Sequence, residues 1–319
     1  MSELMIQAFA NHLTPRKRTR PAKLQEISSV AQYIEYITNL KKKDLPTAFR
    51  GQKNISWKGK APIHRPKERL DGVEHKMVRE LISIHPQEFQ QDSTMFDRLV
   101  RMQHYGLPTR LLDVTLNPLV ALFFAAQDFT TDEVIDGEIV KTPRDGKVSL
   151  YTIPEERIKF YDSDTVACLS NLANLSYELK EEIQYFGNYD YLEEFNNLPS
   201  IKELVRYINR EKPNFAAKIN PITLFKPVFV RPKNNNRRII AQAGAFLVHG
   251  LESKDLKYDT NISQISLRIL ADKKSDIRDE LSIIGINIST LFPELDKAAE
   301  IISYRYKKDL ATYDISDLI

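Results

Sequence analysis

Two rhythms of apolar and polar positions run through this chain. In "LQEISSVAQYIEYITNL" (24–40), Ile27, Val30, Ile34 and Ile37 recur every three or four residues, which predicts an amphipathic helix. The same spacing in "GVEHKMVRELISI" (72–84) puts Val73, Met77, Leu81 and Ile84 on one stripe and predicts a second. A third is expected over "STMFDRLVRMQHY" (93–105), stopped by Gly106 and Pro108. "TAFRG" (47–51) and "RLLDVT" (110–115) are short and apolar, as strands are, and Asn117 followed by Pro118 is a cap and first position for a buried helix, "PLVALFFAA". Downstream, "KVSLYTI", "ITLFKPVFV", "RRIIAQ", "GAFLVH" and "ISLRIL" predict strands. A charge-rich helical insert separates the first two of these at about 165–212, and helices near 275–283 and 292–306 complete the pattern. This order predicts an α+β fold of mixed, mainly antiparallel sheets with flanking helices.

Composition adds limits rather than detail. Of 319 residues, 42% are hydrophobic and 28% charged, enough for a substantial core. The longest apolar run, Pro118 to Ala126, is too short to span a bilayer, and the first residues lack the order of a signal peptide, so a cytoplasmic location without membrane contact is expected. One cysteine, Cys168, allows neither an internal disulfide nor a cysteine-rich metal site, and no metal is expected. The net charge of +3 is uneven: residues 1–66 hold 13 Lys and Arg against 4 Asp and Glu. Residues 1–22 are read as a basic arm whose Arg16, Lys17, Arg18 and Arg20 either contact a polyanion or are simply solvated, and residues 23–310 as the domain itself.

Candidate chemistry concentrates in "MQHYGLPTRLLDVTLNPLVALFFAA" (102–126). A strand running through a tight turn into a helix sets its last side chains beside free backbone N–H groups, so Asp113, Thr115 and Asn117 are expected at such a junction, with Arg110 and His104 just before it. Arg110 either grips an anion or pairs with Asp113, three residues on. Arg50 has the same two readings, ligand binding or a pair with Glu74 or Glu80, and Trp57 either packs or stacks on a ring.

Together, "FRGQ" (49–52), "MQHYGLPTRLLDVTLNPLVALFFA" (102–125) and "RRIIAQAGAFLVHG" (237–250) closely resemble the FRG domain family, named for the tripeptide that is here Phe49, Arg50 and Gly51. The resemblance spans about residues 25–305. It implies a bacterial or phage-borne protein of a family whose activity is poorly defined.

The same three motifs also resemble, in order and spacing, the arginine-class mono-ADP-ribosyltransferases: an aromatic-Arg-Gly strand, a Ser-Thr-Ser strand entering a helix, and a strand bearing Gln-x-Glu. That resemblance implies a divergent ADP-ribosyltransferase-like core using NAD as substrate and modifying a macromolecule, protein or nucleic acid, as a toxin or antiphage effector. It assigns catalysis to Arg50, Asp113, Thr115 and Gln242, and NAD contacts to Arg50, Gly51, His104, Arg110 and Thr115. Arg50 would hold phosphates, Asp113 and Thr115 would reach ribose and nicotinamide, and Gln242 would position a ribose hydroxyl or the acceptor. The sequence departs from the pattern at Gly244, which stands where the catalytic glutamate is expected. Asp113, another carboxylate such as Glu74, or the acceptor would then supply the negative charge, or the site would bind a nucleotide without turnover. A non-catalytic nucleotide- or nucleic-acid-binding module and a metal-independent nuclease using His104 are the other readings.

Overall fold

The computed structural model describes residues 24–42, 45–65, 70–135, 137–187, 192–233, 236–252 and 261–294, together with 299, 303 and 306. The basic arm, with Arg16, Lys17, Arg18 and Arg20, lies outside the described residues, as does most of the helix expected over 292–306.

The chain opens with β1 (Gln25–Ile27) and α1 (Val30–Thr38). The single helix expected over 24–40 is therefore divided. The Ser29 side chain accepts from the Gln32 backbone N–H and caps the helix there, which leaves Gln25–Ile27 extended beside a distant strand. Then follow β2 (Ala48–Gln52), α2 (Glu74–Ile84), α3 (Met95–His104), β3 (Leu111–Thr115) and α4 (Pro118–Ala125), close to the bounds the pattern predicts. Thr94 caps α3 and Asn117 caps α4, each through its side-chain oxygen.

A hairpin of β4 (Thr130–Ile135) and β5 (Glu138–Pro143), unforeseen from the pattern, precedes β6 (Gly146–Thr152) and β7 (Ile158–Phe160). The insert is helical: α5 (Asp164–Asn171), α6 (Tyr177–Phe186), α7 (Leu192–Asn197) and α8 (Pro199–Ile208). Two expected strands are corrected. "ITLFKPVFV" begins as a 3-10 turn capped by Asn220, and β8 is only Val228–Arg231, starting after Pro227. "RRIIAQ" is a helix, α9 (Arg237–Ala241), because the Asn236 side chain accepts from the backbone of Arg238 and Ile239 and outweighs the preference of two isoleucines for strand. After α9 come β9 (Gly244–Val248), β10 (Ser263–Ile269), α10 (Lys274–Ile283) and the short α11 (Ile288–Leu291).

The fold is α+β. Eight strands form one mixed, mostly antiparallel sheet in the order β1-β10-β6-β2-β3-β9-β8-β7. Its centre is weakly joined. β2 pairs with β6 over five positions and β3 with β9 over five, but β2 and β3 share one rung, Phe49 with Thr115. Each side of this split has its own core. The helices α1, α4 and α10 cover β2, β6 and β10 around Phe49, Leu122, Leu150 and Ile277, whereas α3 and the insert helices cover β3, β9 and β8 around Phe96, Leu111, Leu169 and Phe246. A third cluster, including Leu112, Val114, Tyr151 and Leu247, lies on the other face. The helix α4 sits directly on β2, and a Cβ at Gly51 would stand 1.9 Å from the Ala121 carbonyl oxygen. The glycine of "FRG" is thus required by close approach rather than by a turn.

Candidate functional site

Where β2 and β3 part, the sheet leaves a cavity of about 240 Å³, floored by Phe49–Gly51 and Asp113–Thr115 and walled by α3, α4 and α9. Arg50 fills part of the split. Phe49 and Gly51 turn toward α4, so Arg50 leaves the strand on the opposite face, and its guanidinium donates to the Asp113 carbonyl. In the register set by Phe49 and Thr115, Gly51 would stand opposite Asp113, yet no rung forms there. The guanidinium takes the place of that rung. Its Nε–H is buried with no hydrogen-bond partner. Burial pulls the Arg50 pKa below the usual arginine value, against the attraction of Asp113. The result is a cation with a donor to spare beside an empty space.

The Asp113 side chain is exposed at the middle of an otherwise buried strand, because the split removes the neighbour that would cover it. Thr115 also lines the cavity, but its hydroxyl is committed: it donates to the Gln242 carbonyl at 2.7 Å and accepts from the Asn117 backbone N–H at 3.0 Å. It ties the turn after β3 to the residues before β9, where Ala243 takes a left-handed φ of 45°. The Gln242 side chain donates to the Leu291 carbonyl at 3.0 Å and so links the cavity to α11. Gly244 pairs with Thr115, and a Cβ there would meet Ile239 at an ordinary 3.5 Å. Gly244 thus has room for a Cβ.

His104, at the end of α3, lines the cavity and also borders a smaller, more polar cavity of about 160 Å³. Arg238 is a cavity residue that the sequence motifs contained without marking; its guanidinium lies 4.8 Å from the ring of Phe292, which packs edge-on against Phe124. Arg50, Gly51, His104, Asp113, Thr115 and Gln242 therefore line one cavity, brought there by three stretches far apart in sequence.

Arg110 is not with them. It is 1% exposed and pairs with Glu74 through two nitrogens, with a further bond to the His249 carbonyl. Lys180 reaches the same carboxylate at 2.7 Å. Neither an Arg50–Glu74 nor an Arg110–Asp113 ion pair forms: Glu74 takes Arg110, and Arg50 donates to the Asp113 carbonyl. With its charge consumed by two cations, Glu74 does not supply the carboxylate missing at Gly244. Trp57 also lies outside the cavity, packed edge-on against Phe129 at 5.0 Å. Among the described residues, no group of three or more His, Cys, Asp or Glu is placed to hold a metal, and no helix is long and apolar enough to cross a membrane.

Residues 46–133 match the family model of the FRG domain, a stretch running from the strand before the split through the strand after it and α4 to the first strand of the hairpin. No curated protein and no solved structure matches the chain.

Proposed function

We propose that the cavity between β2 and β3 binds the nicotinamide-ribose half of NAD and that the protein is an ADP-ribosyltransferase-like enzyme acting on a macromolecule. The observation that carries this reading is the convergence of Arg50, Asp113, His104 and Gln242 on one space at a break in the sheet. Cleaving a glycosidic bond through a cationic sugar calls for fixed negative charge near the ring and a cation for the phosphates. Asp113 offers the first and the guanidinium of Arg50, which also lines the cavity, the second. At about 240 Å³ the cavity is smaller than the roughly 300–1,000 Å³ of sites that enclose a drug-sized ligand, so the adenylate half would run outside it.

Calorimetric titration of the protein and of Arg50→Ala with NAD, beside a chromatographic assay for released nicotinamide, tests the reading. Binding and release by the parent protein, both lost in a folded variant, are expected. Gly244→Glu, placed where a Cβ is tolerated, is expected to raise the release rate. No heat, no thermal stabilisation and no nicotinamide would end the proposal.

The second reading, a nucleotide-binding module without chemistry, is favoured by Gly244 itself and by the committed hydroxyl of Thr115. It predicts NAD or another nucleotide bound by the same residues and recovered intact.

A further inference from the structure

The segment from Leu291 to Glu294 packs against residues that line the cavity at three points: the Leu291 carbonyl on Gln242, the Phe292 ring against Phe124 and Arg238, and the Glu294 carboxylate 3.8 Å from Nε2 of His104. Both carboxylate oxygens of Glu294 are buried and neither has a hydrogen-bond partner. A buried carboxylate left without donors is costly unless a cation shares its space, and His104 is a cationisable group beside it.

His104 also stands at a boundary. With Val100 it is common to the larger cavity and to the smaller polar one, whose walls include Asp92, Arg101, Asp97 and Lys233. Those four are joined in two ion pairs, Arg101 with Asp92 at 2.7 Å and Lys233 with Asp97 at 3.0 Å, so their charges are largely spent on one another. On the other side of His104, the charged groups of the larger cavity are Arg50, Asp113 and Arg238.

We propose that His104, oriented by Glu294, is the acid–base group of this site, standing between a donor bound in the larger cavity and an acceptor nucleophile entering through the smaller one. This rests on the NAD reading for its chemistry. The bond from ribose C1′ to the nicotinamide nitrogen breaks, its electron pair returns to the pyridinium ring, and neutral nicotinamide leaves. A bond forms from the acceptor oxygen or nitrogen to C1′. The acceptor's proton passes to neutral His104, and the Glu294 carboxylate holds the imidazolium that results. With water as acceptor, the same steps give hydrolysis. Glu294 is a positioning residue, since it acts through the imidazole, and it lies 50 positions from the glycine that vacates the expected glutamate site.

The test uses the full chain with His104→Asn, Glu294→Gln and Glu294→Asp, each checked for folding by thermal unfolding. His104→Asn and Glu294→Gln are expected to lower kcat for nicotinamide release about 100-fold, the scale of general acid–base catalysis, with the NAD dissociation constant within twofold of the parent. Glu294→Asp is expected to recover part of that loss. Unchanged kcat in Glu294→Gln, or a loss confined to NAD affinity, would overturn the proposal. If the parent protein neither binds nor cleaves NAD, the proposed function falls, and NMR titration of the His104 imidazole decides the pair by itself. A lower midpoint in Glu294→Gln than in the parent upholds it, and identical titrations refute it.

Discussion

Arg110 and Glu74 meet as a two-point ion pair with no route to solvent, their side chains 1% and 2% exposed, and Lys180 completes the carboxylate's coordination at 2.7 Å. Arg110 leaves the last position before β3 and Glu74 opens α2, so the pair bolts a helix to the edge of the split. Burial raises the cost of charge on Glu74, but Arg110 and Lys180 together outweigh it and hold the carboxyl down at about 2.

Glu74→Gln is expected to destabilise the protein by roughly 3–5 kcal/mol, because it leaves two buried cations without a counter-charge. Urea unfolding at pH 7 measures this. A loss below about 1 kcal/mol would mean that water reaches the cluster.

Acid is expected to act on His249 before it acts on Glu74. Burial, and then the charge on His64 when that ring is protonated and on Arg110, Arg50 and Lys60, push the His249 pKa from 6.5 to about 3. A base with a lowered folded pKa adds full stability above its unfolded value and loses it as pH falls, because the unfolded chain takes up a proton that the folded one refuses. Stability should therefore fall from near pH 6.5 downward, by up to about 1.4 kcal/mol per pH unit for one proton. His249→Gln should flatten that slope between pH 6.5 and 5, above the region where Glu74, ordinarily near 4.5, begins to contribute. The urea midpoint at stepped pH is the measurement, and an unchanged slope would count against a buried neutral His249.

Two glycines in the same motifs should behave in opposite ways. A methyl at Gly51 meets the backbone of Ala121 and Ala125 at 1.9 and 2.8 Å, so Gly51→Ala must lift α4 off β2 and is expected to cost roughly 3 kcal/mol. Gly244→Ala finds its nearest neighbour at 3.5 Å and should leave the melting temperature almost unmoved. Thermal unfolding of the two variants side by side separates steric need from mere occurrence in a motif.

The hydroxyl of Thr115 can be tested by shape. Thr115→Val keeps the outline but strands the Gln242 carbonyl and the Asn117 N–H, for an expected loss of roughly 1–3 kcal/mol. Thr115→Ser keeps both bonds and should lose much less. Equal losses would assign Thr115 to packing alone.

Local signals carried the sequence reading well where the cause is local. The stop at Gly106 and Pro108, the cap at Asn117 and the apolar stripe of α2 placed those elements within two residues. They failed where a neighbour's side chain decides. Asn236 turns "RRIIA" into a helix and Ser29 cuts β1 away from α1, and in both places the cap overrode apolar periodicity. For the site, the three motifs do gather Arg50, Asp113, His104 and Gln242 around one cavity. Arg110 sits elsewhere than its spacing predicts because its partners, Glu74 and the His249 carbonyl, lie 36 positions before it and 139 after it, and pairing at such distances leaves no trace in spacing. Glu294 was invisible for the same reason: nothing near it in sequence announces His104.

The single rung between β2 and β3 also bears on how the molecule comes into being. Strands adjacent in the chain and joined by a long ladder can zip together early, but here each central strand finds its real partner far downstream: Ala48 beside Tyr151, and Thr115 beside Gly244. Loop closure over such stretches is slow, and contacts must accumulate before it is repaid. During synthesis, β3 has no ladder to lean on until β9 has left the ribosome. The cavity is bounded by the products of these long-range encounters, and of the two central strands β3 waits longer, since its partner β9 lies more than 120 residues downstream. The strands that floor the cavity thus complete their ladders only after distant partners have been made, and until then the nascent chain exposes apolar residues prone to aggregation.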